Sequence, residues 1–189
     1  MLVLSSLLSA LGLTCMVLLA LSPPPLARDA DTLFAADVPS SFDAIFSTHA
    51  RFEPGPWQHI YVHHSGTVTG NAASLTDSTE GFGDHFLIGN GNGLGDGQVQ
   101  MGHRWRGQLP AMVDGGTVRA GYISICLVGD LDRSAPTPRQ LACLGQLIRA
   151  LRSRCPIGPD AVYLNTQAQG VAAIGRHFPV AAFRQSLPR

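Results

Sequence analysis

The stretch "WQHIYVHHSGT", Trp57 to Thr67, contains the strand on which we expect the fold to be built. Its β-branched and aromatic residues alternate in part with polar ones, which is typical of a β-strand. The strand is predicted to end at two adjacent histidines, His63 and His64. Because imidazole is the commonest metal ligand in proteins, this strand end is a candidate metal site.

Four further strands are predicted on either side of polar, glycine-punctuated segments. "HFLIG" is the second strand, and "NGNGLGDGQVQMG" supplies an Asn-Gly turn and a third strand, so we expect a hairpin. "YISICLVGDL" is the most apolar run after residue 22 and is predicted to lie centrally in the sheet. "AVYL" is the last short strand.

The helix that begins after Thr137 has the clearest boundary in the chain. Thr137 is a typical N-cap, Pro138 suits the first helical position, and Gln140 completes a capping box. We also expect a short helix over Ala72 to Leu75, and an irregular segment, "RWRGQLPAMVDGGTVRAG". This order of elements predicts an α/β fold, a three-layer sandwich with a mixed β-sheet flanked by helices.

Composition restricts the class of protein. The chain has 189 residues and 45% hydrophobic residues, enough for one globular core. Lysine plus arginine equals aspartate plus glutamate, 13 each, so nucleic-acid binding has no electrostatic support. Cys126 lies in the apolar central strand, where a thiol acts as a small hydrophobe.

The N-terminus predicts export. Residues 1–22 carry no charged side chain and are long enough for a signal peptide or a membrane anchor. Residues 23–40 are rich in proline and small residues and read as a linker. We therefore expect a folded domain over residues 41–189 that is periplasmic or extracytoplasmic, with a membrane contact through residues 1–22 as one alternative.

Five segments in this order resemble the N-acetylmuramoyl-L-alanine amidase family, the zinc amidases that include peptidoglycan recognition proteins. They are "WQHIYVHHSGT", "GDHFLIGNGNGLGDGQVQMGHRW", "ISICLVGDL", "TPRQLACLGQLIRAL" and "HFPVAAFR". The resemblance implies a mixed sheet of five or six strands between helices. It also implies an ancestral activity, cleavage of the amide between N-acetylmuramic acid and L-alanine.

The same resemblance implies where a zinc ion would bind. A catalytic zinc takes about three protein ligands and a water. The first family ligand corresponds to His63, but the second position falls on Asn165 and the third on Ala173. Asparagine is a poor zinc ligand and alanine is none. The family tyrosine near the zinc-bound water corresponds to Asp84, and a further family histidine to Met112.

These substitutions lead us to expect a catalytically inactive domain that holds no zinc and binds muropeptide or cell-wall glycan. The candidate ligand-contacting residues are His64, His85, Trp105, Asn165 and His177. Two alternatives stay open. One is an active zinc amidase with changed ligands, for example a site rebuilt from His63, Asp84 and His177. The other is a membrane-tethered interaction scaffold.

Two of these candidates also have a structural interpretation. Trp105 is expected to pack under the hairpin while Arg104 and Arg106 stay solvated. His85 follows Asp84 at a strand start, where alternation would send one of the two side chains to the cleft and the other to the opposite face.

Overall fold

The computed structural model of the protein describes residues 42–76, 81–113, 117–164 and 174–187. These residues belong to one compact unit of the chain. The predicted leader and linker, and the positions Asn165 and Ala173, lie outside the described residues. Within the described part, no helix is both long enough and apolar enough to cross a bilayer.

The described residues form seven strands and three α-helices. The strands are β1 (His59–His64), β2 (Phe86–Ile88), β3 (Val99–Met101), β4 (Ala111–Val113), β5 (Thr117–Arg119), β6 (Tyr122–Leu127) and β7 (Val162–Tyr163). The helices are α1 (His103–Arg106), α2 (Pro138–Arg154) and α3 (Val180–Ser186). Short 3-10 turns cover Asp43–Phe46 and Pro159–Ala161.

The main sheet is mixed and has five strands in the order β3-β2-β6-β1-β7. Strands β2, β6, β1 and β7 run parallel to one another, and β3 at the edge is antiparallel to β2. The predicted central position of "YISICLVGDL" is confirmed, because β6 lies between β2 and β1. The predicted α/β fold on a mixed sheet is likewise confirmed.

Helix α2 begins as its sequence predicts. The Thr137 hydroxyl accepts the backbone N–H of Gln140 at 3.0 Å, and the Gln140 side chain accepts the N–H of Thr137 at 3.1 Å. The Gln140 amide also donates to the carbonyls of Ile88 and Val128, at 3.1 and 2.9 Å. One side chain therefore caps the helix and ties it to the ends of β2 and β6.

The two faces of the sheet carry different side chains because residues alternate along each strand. Ile60 and Val62 of β1 join the large apolar core, which includes Leu144 and Ile148 of α2. Tyr61 and His63 therefore lie on the second face. Loop residues pack on that face, among them Phe82 and Leu94 with partly buried Ala72 and Leu75.

Two local predictions were wrong. Ala72–Leu75 forms a turn, closed by the bond from the Leu75 N–H to the Asn71 carbonyl at 3.0 Å, and not a helix. A single turn gains too few hydrogen bonds to propagate. The segment expected to be irregular contains α1 and the β4–β5 hairpin. Tertiary contacts order it, since Trp105 of α1 is fully buried.

Candidate functional site

His63 stands at the carboxyl end of β1 and faces Asp84, which precedes β2. Its Nε2 atom lies 2.7 Å from Oδ1 of Asp84, and the two side chains are 20% and 10% exposed. A carboxylate can only accept a hydrogen bond, so Nε2 of His63 carries the proton and donates it. Asp84 and His63, which the resemblance implies stand at the family's tyrosine and first zinc-ligand positions, are thus hydrogen-bonded to each other.

Ser124 of β6 is the second partner of Asp84. Its hydroxyl donates to the same oxygen, Oδ1, that accepts from His63. Ser124 is fully buried. Asp84 therefore accepts two hydrogen bonds through one oxygen, which provides partners for a largely buried polar group.

Cys126 completes the group. Strands β1 and β6 are parallel and in register, and His63 pairs with Cys126. One ligand atom each from His63, Asp84 and Cys126 lies within 4.8 Å of the others. Ser124 and Cys126 were missed as site residues in the sequence. Their two-residue spacing in "YISICL", which places them on the face of Tyr61 and His63, is the pattern that would have identified them.

The Cys126 thiol is in an environment that opposes ionisation. Burial raises its pKa well above the usual range, and the negative charge of Asp84 raises it further. The side chain is 2% exposed, and Sγ donates weakly to the Leu127 carbonyl. In the metal-free protein Cys126 is accordingly a neutral thiol and not a nucleophile.

His64 points away from this group and serves the following loop. Its Nδ1 accepts the backbone N–H groups of Gly66 at 3.1 Å and Leu131 at 3.3 Å. Its Nε2 lies 3.9 Å from Oδ2 of Asp132. The ring thus connects the end of β1 to the segment after β6.

His85 and Trp105 are in the core and do not reach a surface where a ligand would bind. His85 is fully buried; its Nδ1 accepts the N–H of Ser124 at 2.9 Å, and Nε2 donates to the Leu109 carbonyl at 2.8 Å. Burial lowers the pKa of His85 to about 4. Trp105 is equally buried and donates from its indole to the Ile45 carbonyl at 2.6 Å.

Arg104 corrects one expectation about this region. It was predicted to stay solvated, yet it is only 7% exposed. Its guanidinium donates to the Pro110 carbonyl at 2.9 Å and contacts Sδ of Met112 at 2.8 Å. Met112, which the resemblance implies stands at a family histidine position, therefore packs on an arginine. The side chain of Arg106 is half-buried.

His177 is exposed, and its backbone N–H donates to the Leu131 carbonyl at 2.9 Å. It is not a member of the potential metal-binding group found among the described residues. The rebuilt site of His63, Asp84 and His177 is thus not brought together there, and Cys126 takes the third place. Asn165 and Ala173 lie outside the part of the chain that the structure describes.

An aromatic cluster lies on the same face of the sheet as His63. It consists of His59, Tyr122 and Tyr163, all half-buried. The His59 ring centroid is 4.6 Å from that of Tyr122 and 5.7 Å from that of Tyr163, and the two tyrosine rings are 6.0 Å apart. Tyr61 pairs along β1 with His63, their rings stacked at 5.2 Å. The face therefore carries flat, amphipathic rings towards the start of β1 and β6, and the His63–Asp84 pair towards their carboxyl ends.

The family resemblance implies zinc, so the donor set can be tested against that ion. Imidazole, carboxylate and thiolate are all zinc ligands. His63, Asp84 and Cys126 therefore fit zinc by type of donor atom and by proximity. They differ from the family's set in two of three members, and Cys126 and Asp84 lie in the interior at 2% and 7% exposure.

Comparison with known proteins agrees with the architecture. The sequence model described as N-acetylmuramoyl-L-alanine amidase matches residues 53–181. The amidase LysC of Clostridium intestinale URNW is similar in structure, with a TM-score of 0.56 and 20% identity over 70% of this chain and 85% of that chain. The endolysin amidase LysCS of the same organism has a TM-score of 0.53 and 17% identity, covering 70% and 84%.

Bumblebee PGRP-SA is a further similar structure, with a TM-score of 0.49 and 20% identity over 67% of this chain and 80% of that chain. No curated protein matches. The match of residues 53–181 covers more than half of the sequence and includes β1, β6 and α2. The chain belongs to the N-acetylmuramoyl-L-alanine amidase family.

Proposed function

We propose that this chain is an exported domain that recognises peptidoglycan fragments and does not hydrolyse them. The observation that carries the proposal is the environment of Asp84, which accepts hydrogen bonds from both His63 and Ser124 through one oxygen. Export is supported by the uncharged run of residues 1–22, which would take the domain to the compartment that contains peptidoglycan.

Amide hydrolysis passes through a tetrahedral intermediate whose oxygen carries negative charge. That oxygen is stabilised by hydrogen-bond donors or cations aimed at it. A tyrosine could donate there, whereas Oδ1 of Asp84 accepts hydrogen bonds from His63 and Ser124 and offers no donor. Asn165 and Ala173 stand at the family's other two zinc-ligand positions. Both the cation and the tyrosine donor that would stabilise this oxygen are therefore altered.

Recognition is supported by family membership and by the side chains that remain on the second face. Saccharide rings have apolar C–H faces that pack on aromatic rings, and their hydroxyls need polar partners nearby. The aromatic cluster offers rings on which a C–H face can pack, and the His63–Asp84 pair offers polar partners for the hydroxyls. We therefore place the muramyl sugar of a ligand along this face, next to His63.

An active zinc amidase is the second candidate function. It is favoured by one observation, the convergence of His63, Asp84 and Cys126 within 4.8 Å. A catalytic zinc must present its open position to the substrate. Asp84 and Cys126 are 7% and 2% exposed, so this group is less suited to hydrolysis than to holding an ion inside the fold.

The test uses an N-acetylmuramoyl peptide that begins with L-alanine, in zinc-supplemented buffer. Calorimetry measures binding, and mass spectrometry measures release of the free peptide. We expect binding without release. Release that disappears in His63→Ala but persists in the control His49→Ala, an exposed histidine outside the site, would overturn the proposal in favour of an active amidase. Absence of binding would also overturn it.

A further inference from the structure

We propose that His63, Asp84 and Cys126 form a binding site for a divalent cation of the zinc class, which holds β1, β6 and the segment before β2 together. This inference goes beyond the proposed function but uses the same His63–Asp84 pair, and its test measures metal binding and not sugar binding. It differs from the family's site because two of its three donors, Asp84 and Cys126, are not at family ligand positions.

The backbone itself brings the donors together. His63 and Cys126 are partners in the parallel register of β1 and β6, and their side chains emerge on one face. Adjacent strands are about 4.8 Å apart, so these two side chains lie close to each other. Asp84 is held over β6 by the Ser124 hydroxyl, which leaves its carboxylate against His63.

The donor types select the class of ion. Magnesium and calcium prefer oxygen ligands, so a thiol in the set disfavours both. An imidazole, a carboxylate and a thiolate together suit zinc and its neighbours in the first transition row. The chain places such a mixed set in its interior, where Cys126 is 2% exposed and Asp84 is 7% exposed.

Binding of a shared ion requires the ligand atoms of the three side chains to shift. Ligand atoms at about 2.0–2.3 Å from a tetrahedral zinc lie roughly 3.3–3.6 Å from one another. The His63–Asp84 contact of 2.7 Å is shorter than this, and the overall limit of 4.8 Å for the three atoms is longer. A cation bound between the three side chains would replace the His63–Asp84 hydrogen bond and draw in the thiol.

We expect such an ion to stabilise the fold and not to catalyse hydrolysis. It would join three separate parts of the chain, around residues 63, 84 and 126, and two of its three ligands, Asp84 and Cys126, are buried. A ligand that binds only the folded state raises the thermal midpoint, by roughly 5–10 °C for a protein of this size when free zinc is 100 times its Kd.

The experiment uses the full chain, stripped of metal and titrated with Co²⁺ and then with Zn²⁺. A thiolate bound to Co²⁺ gives a near-ultraviolet charge-transfer band, so the spectrum reports specifically on Cys126. We expect one Co²⁺ per chain with this band, displacement by Zn²⁺, and the rise in thermal midpoint. Cys126→Ser should lose the band, and Cys155→Ser, a buried cysteine outside the group, should keep it.

Two results would overturn the inference. A wild-type protein that binds Co²⁺ without the thiolate band would hold the ion elsewhere, for example on His63 with family positions. A band that survives in Cys126→Ser would come from another cysteine. The wild-type spectrum shows whether a thiolate binds Co²⁺ even if the Cys126→Ser variant does not fold. Asp84→Asn is a second variant, in which we expect at least tenfold weaker Co²⁺ binding.

Discussion

Asp84 and His85 are neighbours in the chain whose side chains go to opposite sides of the sheet. The Asp84 carboxylate meets His63 and Ser124 on the second face. The His85 ring lies in the core, with ring centroids 5.0 Å from Trp57 and 5.8 Å from Trp105. One residue can therefore act in the polar group while the other stabilises the fold, and the two can be tested separately.

His85 predicts a pH dependence of stability. Burial lowers its pKa to about 4 from a usual 6.5, so the unfolded chain binds a proton between these values while the folded chain does not. The contribution of neutral His85 to the free energy of unfolding should be fully present above about pH 6.5. It should decrease by about 3 kcal/mol as the pH drops to 4.

Urea denaturation at a series of pH values measures this slope. In His85→Gln, which cannot titrate in this range, the dependence should flatten, although overall stability drops because packing changes. The control His49→Gln removes an exposed histidine and should retain the slope. An unchanged slope in His85→Gln would show that another group is responsible.

The His63–Asp84 pair predicts energetic coupling. Because both side chains are largely buried, we expect a double-mutant cycle of His63→Ala and Asp84→Ala to give about 1–3 kcal/mol of coupling in the free energy of unfolding. Metal-free protein is used, so that the hydrogen bond alone is measured.

The chain offers a matched control for that cycle. Asp130 and Arg133 form an ion pair at 3.2 Å, but the arginine side chain is 82% exposed. Their coupling should stay below about 1 kcal/mol. Equal coupling in the two cycles would mean that the His63–Asp84 pair behaves as an ordinary surface contact.

The capping box of α2 predicts that a substitution of Thr137 lowers the stability of the protein. Thr137→Ala removes the acceptor for the Gln140 N–H and the hydroxyl that bonds to Asp96 at 2.5 Å. We expect a decrease of about 1–2 kcal/mol in the free energy of unfolding, measured by denaturant titration. Thr137→Ser keeps the hydroxyl and should recover most of this loss; a serine variant as unstable as the alanine variant would contradict the capping explanation.

The aromatic cluster predicts a loss of binding without a loss of fold. Tyr163→Ala should weaken binding of the muramyl peptide roughly 3- to 10-fold, since one aromatic contact contributes about 0.5–1.5 kcal/mol. Calorimetry measures the change, and circular dichroism checks folding. Phe52→Ala removes another half-buried aromatic ring, packed against the core, and should leave the affinity unchanged. Equal weakening in both variants would argue against binding at the cluster.

Features that depend on near neighbours in the chain could be predicted from the sequence. The start of α2 was predicted because Thr137, Pro138 and Gln140 act within three residues of one another. The strand ending at His64 and the hairpin of β2 and β3 follow from alternation and an Asn-Gly turn. The order of such segments also carried the family resemblance, which the match over residues 53–181 confirmed.

The group of His63, Asp84 and Cys126 is formed by the tertiary structure. His63, Asp84 and Cys126 are separated by about 20 and 40 residues, and they meet only because β1 and β2 pair with opposite edges of β6 in one register. The burial of His85 and Trp105 likewise depends on what packs around them, so both looked like candidate ligand contacts in the sequence. The sequence by itself determined the strands of the main sheet, helix α2 and the family resemblance, with His63 as a candidate site residue. Only the fold placed Asp84, Ser124 and Cys126 around that histidine, because strand register and burial are set by contacts between distant parts of the chain.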